Sequence, residues 1–362
     1  MQKELSSRQI WLFFIALLPL SKLFMMPSVL ASFTNEDMWL SALFNFALDF
    51  ITIFFIVGFM RKTNTDLFTF LENGLGKTAS KILLFLYFLY FTFKAVIPLN
   101  EQKDYVELTL YTLMPTMLYF LPFFLFAFYI CTKKLRVLGR ASDILWLTTI
   151  LGFIILFCLS ISNSDLGAIL PIGAKGFPAI FYGSLRALTW FGDGAYLLFF
   201  VGEFTYKKKD GIKILLSHVI CCLFVIVFLI IFYSVFTSIS FRQRFALTEI
   251  SKYTTVINNI GRFDYLGIVM ILFGNLFTMA LPMFFSCRLI NRIFNIKRPW
   301  IAPIFAVGIQ VVIMTVFYQY LHSIENLVMN YLWGFFLILG NVIPIVISLF
   351  GIKEKINESK KS

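Results

Sequence analysis

Residues 178–204 read PAIFYGSLRALTWFGDGAYLLFFVGEF. A largely apolar run of this length can cross a bilayer core of about 30 Å as a helix. Its centre, however, is Trp190-Phe191-Gly192-Asp193-Gly194, and paired glycines around a carboxylate make poor helix and good unwound backbone. The expectation is a membrane span that breaks near Asp193. Non-helical backbone at that depth is tolerated only where protein or a water-filled cavity satisfies it, so a break marks a solvated centre.

A second stretch, 9–31, carries Pro19-Leu20-Ser21-Lys22 near its midpoint and Pro27 further on. Proline supplies no amide donor, so the bonding ladder must open and a break near Ser21 follows. Eight further apolar stretches lie at 39–59, 81–98, 117–131, 144–161, 212–236, 264–289, 300–321 and 330–349, giving about ten transmembrane helices. If five spans form a unit (9–161 and 178–349), the second unit enters from the opposite side. The two breaks then occupy the first span of each unit, as in inverted-repeat transporters that bind substrate between unwound helices. A proline kink in span one and close glycine packing in span six is the plainer alternative.

Composition agrees with lipid as the solvent. Of 362 residues 59% are apolar and 14% charged, against about 45–50% and about 25% in soluble domains. Forty-six Phe and a mean hydropathy of +0.85 exclude a water-soluble globule. The charged start at Met1–Ile10 is not followed by a small-residue cleavage pattern, so span one is expected to stay in the chain. The whole of 1–362 reads as one membrane domain, with 350–362 as a tail. Cys131, Cys158, Cys221, Cys222 and Cys287 show no paired spacing and read as free, packed thiols.

The net charge of +12 does not point to nucleic acid, because the basic residues fall in short clusters between spans. Alternate connections hold 22 Lys and Arg on one side and six on the other, which puts both termini in the cytoplasm by the positive-inside rule. Only Lys22, Lys94 and Arg186 of the basic residues fall inside spans. The longest outward connection, 237–263, places Phe245, Ile250, Tyr253, Ile257 and Ile260 at helical spacing, as an interfacial or gate-covering helix.

The sequence resembles the spore-germination receptor B-subunit family, a branch of the amino acid, polyamine and organocation transporter superfamily. The resemblance rests on Ser6-Ser7-Arg8-Gln9-Ile10 opening span one, Leu170-Pro171-Ile172-Gly173-Ala174-Lys175-Gly176 before span six, and Arg262-Phe263-Asp264 opening span eight. It implies a leucine-transporter-like fold, recognition of an amino acid or similar nutrient, and A and C subunits as partners in a germinant receptor of the spore membrane. Related members are regarded as permeases. The Gly-rich break usual in span one of the superfamily is replaced here by Pro19-Leu20-Ser21-Lys22, a departure that bears on cation coupling.

Lys22 and Asp49 lie near the middle of their spans, where an unpaired charge costs at least about 2.5–3.5 kcal/mol. Lys22, beside a half-helix starting near Leu23, is a candidate anion site for a substrate carboxylate. The alternatives are a Lys22–Asp49 pair that only stabilises the bundle, or an ammonium standing in for a transported sodium ion. Asp193 is the candidate to accept a substrate ammonium or carry a proton, with capping of the next half-helix as its structural alternative. Ser21, Trp190, Phe191, Gly192 and Asn275 complete the candidate binding residues. Lys94 and Arg186 read as snorkelling to the interface, and Glu203 as a surface partner of the neighbouring Lys run.

His218 and His322 lie on different spans with no metal-type spacing, so no metal, cofactor or enzymatic centre is expected. Two central breaks also suit an occluded site better than an open channel. The two readings that remain are a nutrient-recognising receptor subunit and an autonomous, possibly proton-coupled, permease.

Overall fold

The computed structural model describes residues 5–63, 65–110, 116–161, 164–252, 264–296 and 298–361. Helices occupy every one of the ten apolar stretches. Span one is α1 (Ser7–Ala16) and α2 (Met26–Thr34), separated by a short turn of 3-10 helix at Leu20–Lys22. Span two is α3 (Met38–Lys62), and an amphipathic helix α4 (Leu67–Leu75) leads to span three, α5 (Lys77–Tyr105). Spans four and five are α6 (Thr116–Cys131) and α7 (Arg136–Ser160). Span six is α8 (Gly176–Ala187) and α9 (Asp193–Leu198), joined through Leu188–Trp190. Then come α10 (Asp210–Phe236), the short α11 (Ala246–Lys252), α12 (Asp264–Phe294) and α13 (Ile301–Val316). The chain ends in α14 (Leu321–Asn330), α15 (Trp333–Leu337), a π-helical turn at Ile338–Val342, and α16 (Ile343–Lys361).

Among the described residues, five helical stretches are each long and apolar enough to cross a membrane, and a pair bent by 78°, Ile301–Val316 with Tyr318–Asn330, makes a sixth. The shortfall from ten has local causes. Spans one and six are each cut in two, so neither half alone is long enough, α6 has only 16 residues, and the side chains of 264–275 in α12 lie outside the described residues. The sequence reading also missed α14, which turns the chain sharply before span ten.

The motifs that opened spans one and six have structural work. Ser6 caps α1 in a reciprocal box with Gln9, and Arg8 and Gln9 both bind Asp143 of α7, at 3.0 and 2.8 Å. Leu5 donates its backbone N–H to the Glu203 carbonyl, which ties the start of span one to the end of span six. A Cβ at Gly139 would stand 2.7 Å from Gln9, so glycine is what lets α1 and α7 approach. Before span six, buried Asp37 accepts the backbone N–H groups of Gly173 and Lys175, at 2.7 and 3.2 Å.

The described part of the connection after α10, residues 237–252, packs over the break of span one. Phe245 packs on Phe24 and Tyr105, with ring centroids 4.9 and 5.3 Å away, and Ala246 donates to the Phe24 carbonyl. Ile250 is buried; Tyr253, Ile257 and Ile260 lie outside the described residues, as do Arg262 and Phe263. All five cysteines are free, with Cys158 exposed and Cys222 half-buried. The expectation of packed thiols therefore fails at Cys158, which sits on the outer face of α7.

Candidate ligand-binding site

The break in span six leaves two helix ends at the centre of the bundle, and charged side chains from neighbouring spans satisfy both. Gly192 has φ +80° and starts α9, whose first amides have no partner in the helix. Asp49 of α3 takes them: its carboxylate accepts the Gly192 N–H at 3.1 Å and the Asp193 N–H at 3.2 Å. On the other side, Leu188–Trp190 ends with open carbonyls. Lys94 of α5 donates to the Thr189 carbonyl at 3.1 Å and, through a short contact, to the Phe191 carbonyl. An anion thus sits at the amide end and a cation at the carbonyl end, the sense that the backbone dipoles favour.

Lys22 connects this break to the one in span one. Its ammonium donates to both Asp193 oxygens, at 3.1 and 3.0 Å, and to the Leu18 carbonyl at 3.3 Å. It also lies over the rings of Phe191 and Phe46, 5.2 and 5.8 Å from their centroids. Lys22 and Asp49 are 0% exposed, Asp193 1% and Lys94 7%. Two cations and two anions share the centre, so the cluster is neutral and the insertion cost of each charge is offset by its neighbours.

Beside this cluster lies a cavity of about 40 Å³. The space holds one or a few waters. Four spans wall it: the span-one break contributes Leu17, Leu18 and Ser21; span six Thr189, Trp190, Asp193 and Tyr196; α5 Lys94, Ile97 and Pro98; α12 Thr278, Leu281 and Pro282. The walls are mostly apolar, with Lys94 and Asp193 as charges of opposite sign. Pro98 and Pro282 each stand inside a helix, where the missing N–H leaves a carbonyl of the preceding turn unbonded.

Of the candidate residues from sequence, Ser21, Trp190 and Asp193 line this cavity. Lys22 does not. Its side chain turns to Asp193, and the half-helix that it should flank begins at Met26, not Leu23. Its partner is not Asp49, which holds backbone amides instead. Phe191 is buried behind the cavity, packed on Phe46 with ring centroids 5.0 Å apart, and Gly192 forms the turn. The side chain of Asn275 lies outside the described residues.

Lys94 corrects the sequence reading outright. Instead of snorkelling outwards it turns inwards, because the carbonyls of the broken span six give it a better partner at the centre than headgroups would at the edge. Arg186 is half-buried and binds Asn330 and Tyr182. Glu203 pairs with Arg288 of α12 and not with the lysines beside it. Lys94, Tyr196 and Thr278 were missed as cavity residues. Only Lys94 carried a usable signal, a charge inside a span opposite a break.

Trp190 reaches the other way as well. Its indole N–H donates to Glu101 at 3.0 Å, within a polar cluster at the far end of α5 that includes an Asn100–Glu325 bond of 2.7 Å and an Arg244–Asp104 pair. The indole therefore stands between the cavity and the cover formed by residues 237–252. Among the described residues no three His, Cys, Asp or Glu side chains group as metal ligands.

An all-helical membrane bundle whose first and sixth spans break around one central cavity has the leucine-transporter-like fold. Crystal structures of that class resemble it over nearly its full length. A point mutant of the manganese transporter of Eremococcus coleocola superposes with a TM-score of 0.61 at 10% identity, covering 93% of this chain and 78% of the transporter. MhsT in complex with L-phenylalanine superposes with a TM-score of 0.61 at 12% identity, covering 96% and 98%. At such identities the likeness is one of fold. The family is given by the sequence: residues 4–322 match the spore germination proteins of the spore permease type, and the chain belongs to that family. No curated protein matches it.

Proposed function

We propose that this protein is the membrane-embedded nutrient-recognition subunit of a spore germinant receptor, binding a small amino acid-like ligand in the cavity between the two breaks. The observation that carries this reading is the pairing of Lys94 and Asp193 on the wall of one small, mostly apolar cavity. A cation and an anion facing the same space suit the carboxylate and ammonium of a zwitterion, and the leucine and proline walls suit a short apolar side chain. In this arrangement Lys22 is a positioning residue that holds Asp193, and no catalytic chemistry is involved. The family supplies the germination context; on this reading A and C subunits are the partners and the spore inner membrane the location, and the charge count of the connections favours both termini in the cytoplasm. On this reading the halves 9–161 and 178–349 are inverted repeats, and the cavity lies between their broken first spans.

Two experiments test the reading. In detergent, amino acids that bind should raise the melting temperature, and Lys94→Met should weaken binding by tenfold or more, as expected for one charged hydrogen bond of about 1.5–3 kcal/mol. The corresponding amino acid amides, which lack the carboxylate, should lose little affinity. Equal losses for acids and amides would mean that Lys94 serves only the broken helix. For a subunit that recognises without transporting, liposomes holding the chain alone should show no sustained uptake of an amino acid that stabilises it. Sustained uptake would make the autonomous permease the better description.

A further inference from the structure

A second, larger space of about 550 Å³ lies at the end of the bundle where the basic clusters fall. Its walls are α4, through Phe70, Leu71 and Leu75; α5, through Leu83; and α16, through Val346 and Phe350. Among the described residues the only charged one on it is Lys353. Leu75, Val346 and Phe350 are 53%, 42% and 66% exposed, so the apolar wall opens outwards and is not a sealed core. No buried water network suits a lining of this kind, and its volume is in the range that holds an extended small molecule.

The surroundings say what fits. α4 buries Leu67, Phe68 and Leu71 and turns Asn73 outwards, the pattern of a helix lying in a membrane interface. The mouth is basic. Arg61 and Lys62 end α3, which packs closely on α16 where Gly351 meets Phe59 and Phe70, and exposed Lys77 and Lys81 open α5. Glu72, the acidic residue on α4, is engaged by Arg292 at 3.6 Å. We propose that this groove holds an acyl chain of an anionic phospholipid, with its headgroup phosphate at the basic rim beside Lys353. Basic pockets between spans on the cytoplasmic side are suited to such headgroups.

Gly74 supplies a clean test. It lies within α4 on the groove wall, and a Cβ there would meet nothing within 4 Å, so Gly74→Leu extends into open space. Leucine also favours the helix over glycine. The full chain in neutral detergent would be titrated with phosphatidylglycerol and with phosphatidylcholine, following melting temperature and lipid retained by native mass spectrometry. Phosphatidylglycerol should bind about fivefold more tightly, the effect of one lysine near an anionic surface. Lys353→Gln should abolish that preference, and Gly74→Leu should abolish saturable binding of both lipids while leaving the lipid-free melting temperature at or above wild type. Equal binding of the two lipids, or phosphatidylglycerol binding that survives Gly74→Leu, overturns the proposal. So does the absence of saturable lipid binding, the outcome expected if a partner protein fills the groove.

Discussion

Replacing Lys22 with methionine should destabilise the folded protein by about 3–5 kcal/mol, the usual cost of removing one partner from a buried ion pair. The size follows from what is left behind. Asp193 would lose the ammonium bonded to both its oxygens, while Asp49 stays close by with its carboxylate on the same turn of span six. Among the described residues, Lys94 would then be the only cation facing two anions at the centre. Removing the orphaned anion as well, in Lys22→Met/Asp193→Asn, should recover most of the stability, because the loss comes from an uncompensated charge rather than lost packing. Thermal or denaturant unfolding of the wild type, both single variants and the double variant gives the coupling directly. Additive losses, or a Lys22→Met variant no less stable than wild type, would mean that the pair does not hold the two breaks together.

The second large effect is expected at Gly192. Its φ of +80° is a left-handed conformation that costs an L-residue about 1–2 kcal/mol. A Cβ there would also run into the Tyr90 hydroxyl and come within 3.4 Å of Gly340 Cα, in the π-helical turn of span ten. Overpacking of this kind costs about 1–3 kcal/mol, so Gly192→Ala should lose about 2–5 kcal/mol in all. The two contributions separate experimentally. The Tyr90 hydroxyl is buried without a hydrogen-bond partner among the described residues, so Tyr90→Phe alone should be close to neutral. Combined with Gly192→Ala it should restore the steric part and leave the conformational part. No rescue by Tyr90→Phe would contradict the close approach of spans three, six and ten.

The breaks were legible in the sequence because glycine and proline act through the backbone. Pro19 removes an amide donor and Gly192 takes a left-handed turn that ends the preceding segment before α9 starts at Asp193, and the structure leaves regular α-helix at 17–25 and 188–192 accordingly. The charged residues were legible as a set but not as pairs. Lys22, Asp49, Asp193 and Lys94 stand on four different spans, and which cation meets which anion depends on helix rotation and tilt that no spacing along one chain encodes. Lys94 shows this most clearly: its position near a span end suggested the interface, whereas α5 carries it across to the broken carbonyls of span six. Thr278 and Tyr196 gave no signal at all, since threonines and tyrosines inside apolar spans are usually ordinary packing. The ends of α1 were readable in part. Ser6 and Gln9 have capping-box spacing, while their tie to Asp143 needed the fold.

On the reading proposed above, the equal number of formal cations and anions in the central cluster bears on how a ligand acts. A zwitterion entering the cavity adds no net charge, so it can exchange contacts with Lys94 and Asp193 without leaving either ion unpaired. The cavity of about 40 Å³ holds no more than a few waters, so binding requires its walls to part. Trp190 lines this space and donates to Glu101, so on that reading a parting of the walls would reach the polar cluster at the end of α5, where Asp104 pairs with Arg244 of the cover.

The most direct test of a ligand site between the two breaks is the reactivity of the Ser21→Cys variant. Ser21 lines the cavity, and its hydroxyl donates to the Leu18 carbonyl of its own turn, so cysteine should be accepted there. With the wild-type protein as the blank for its five native thiols, labelling by a small water-soluble thiol reagent should occur and should slow several-fold when an amino acid that raises the melting temperature is present. A Ser21→Cys variant that labels no faster than the wild-type blank, or whose extra labelling is untouched by a stabilising amino acid, would contradict a shared, ligand-accessible hollow.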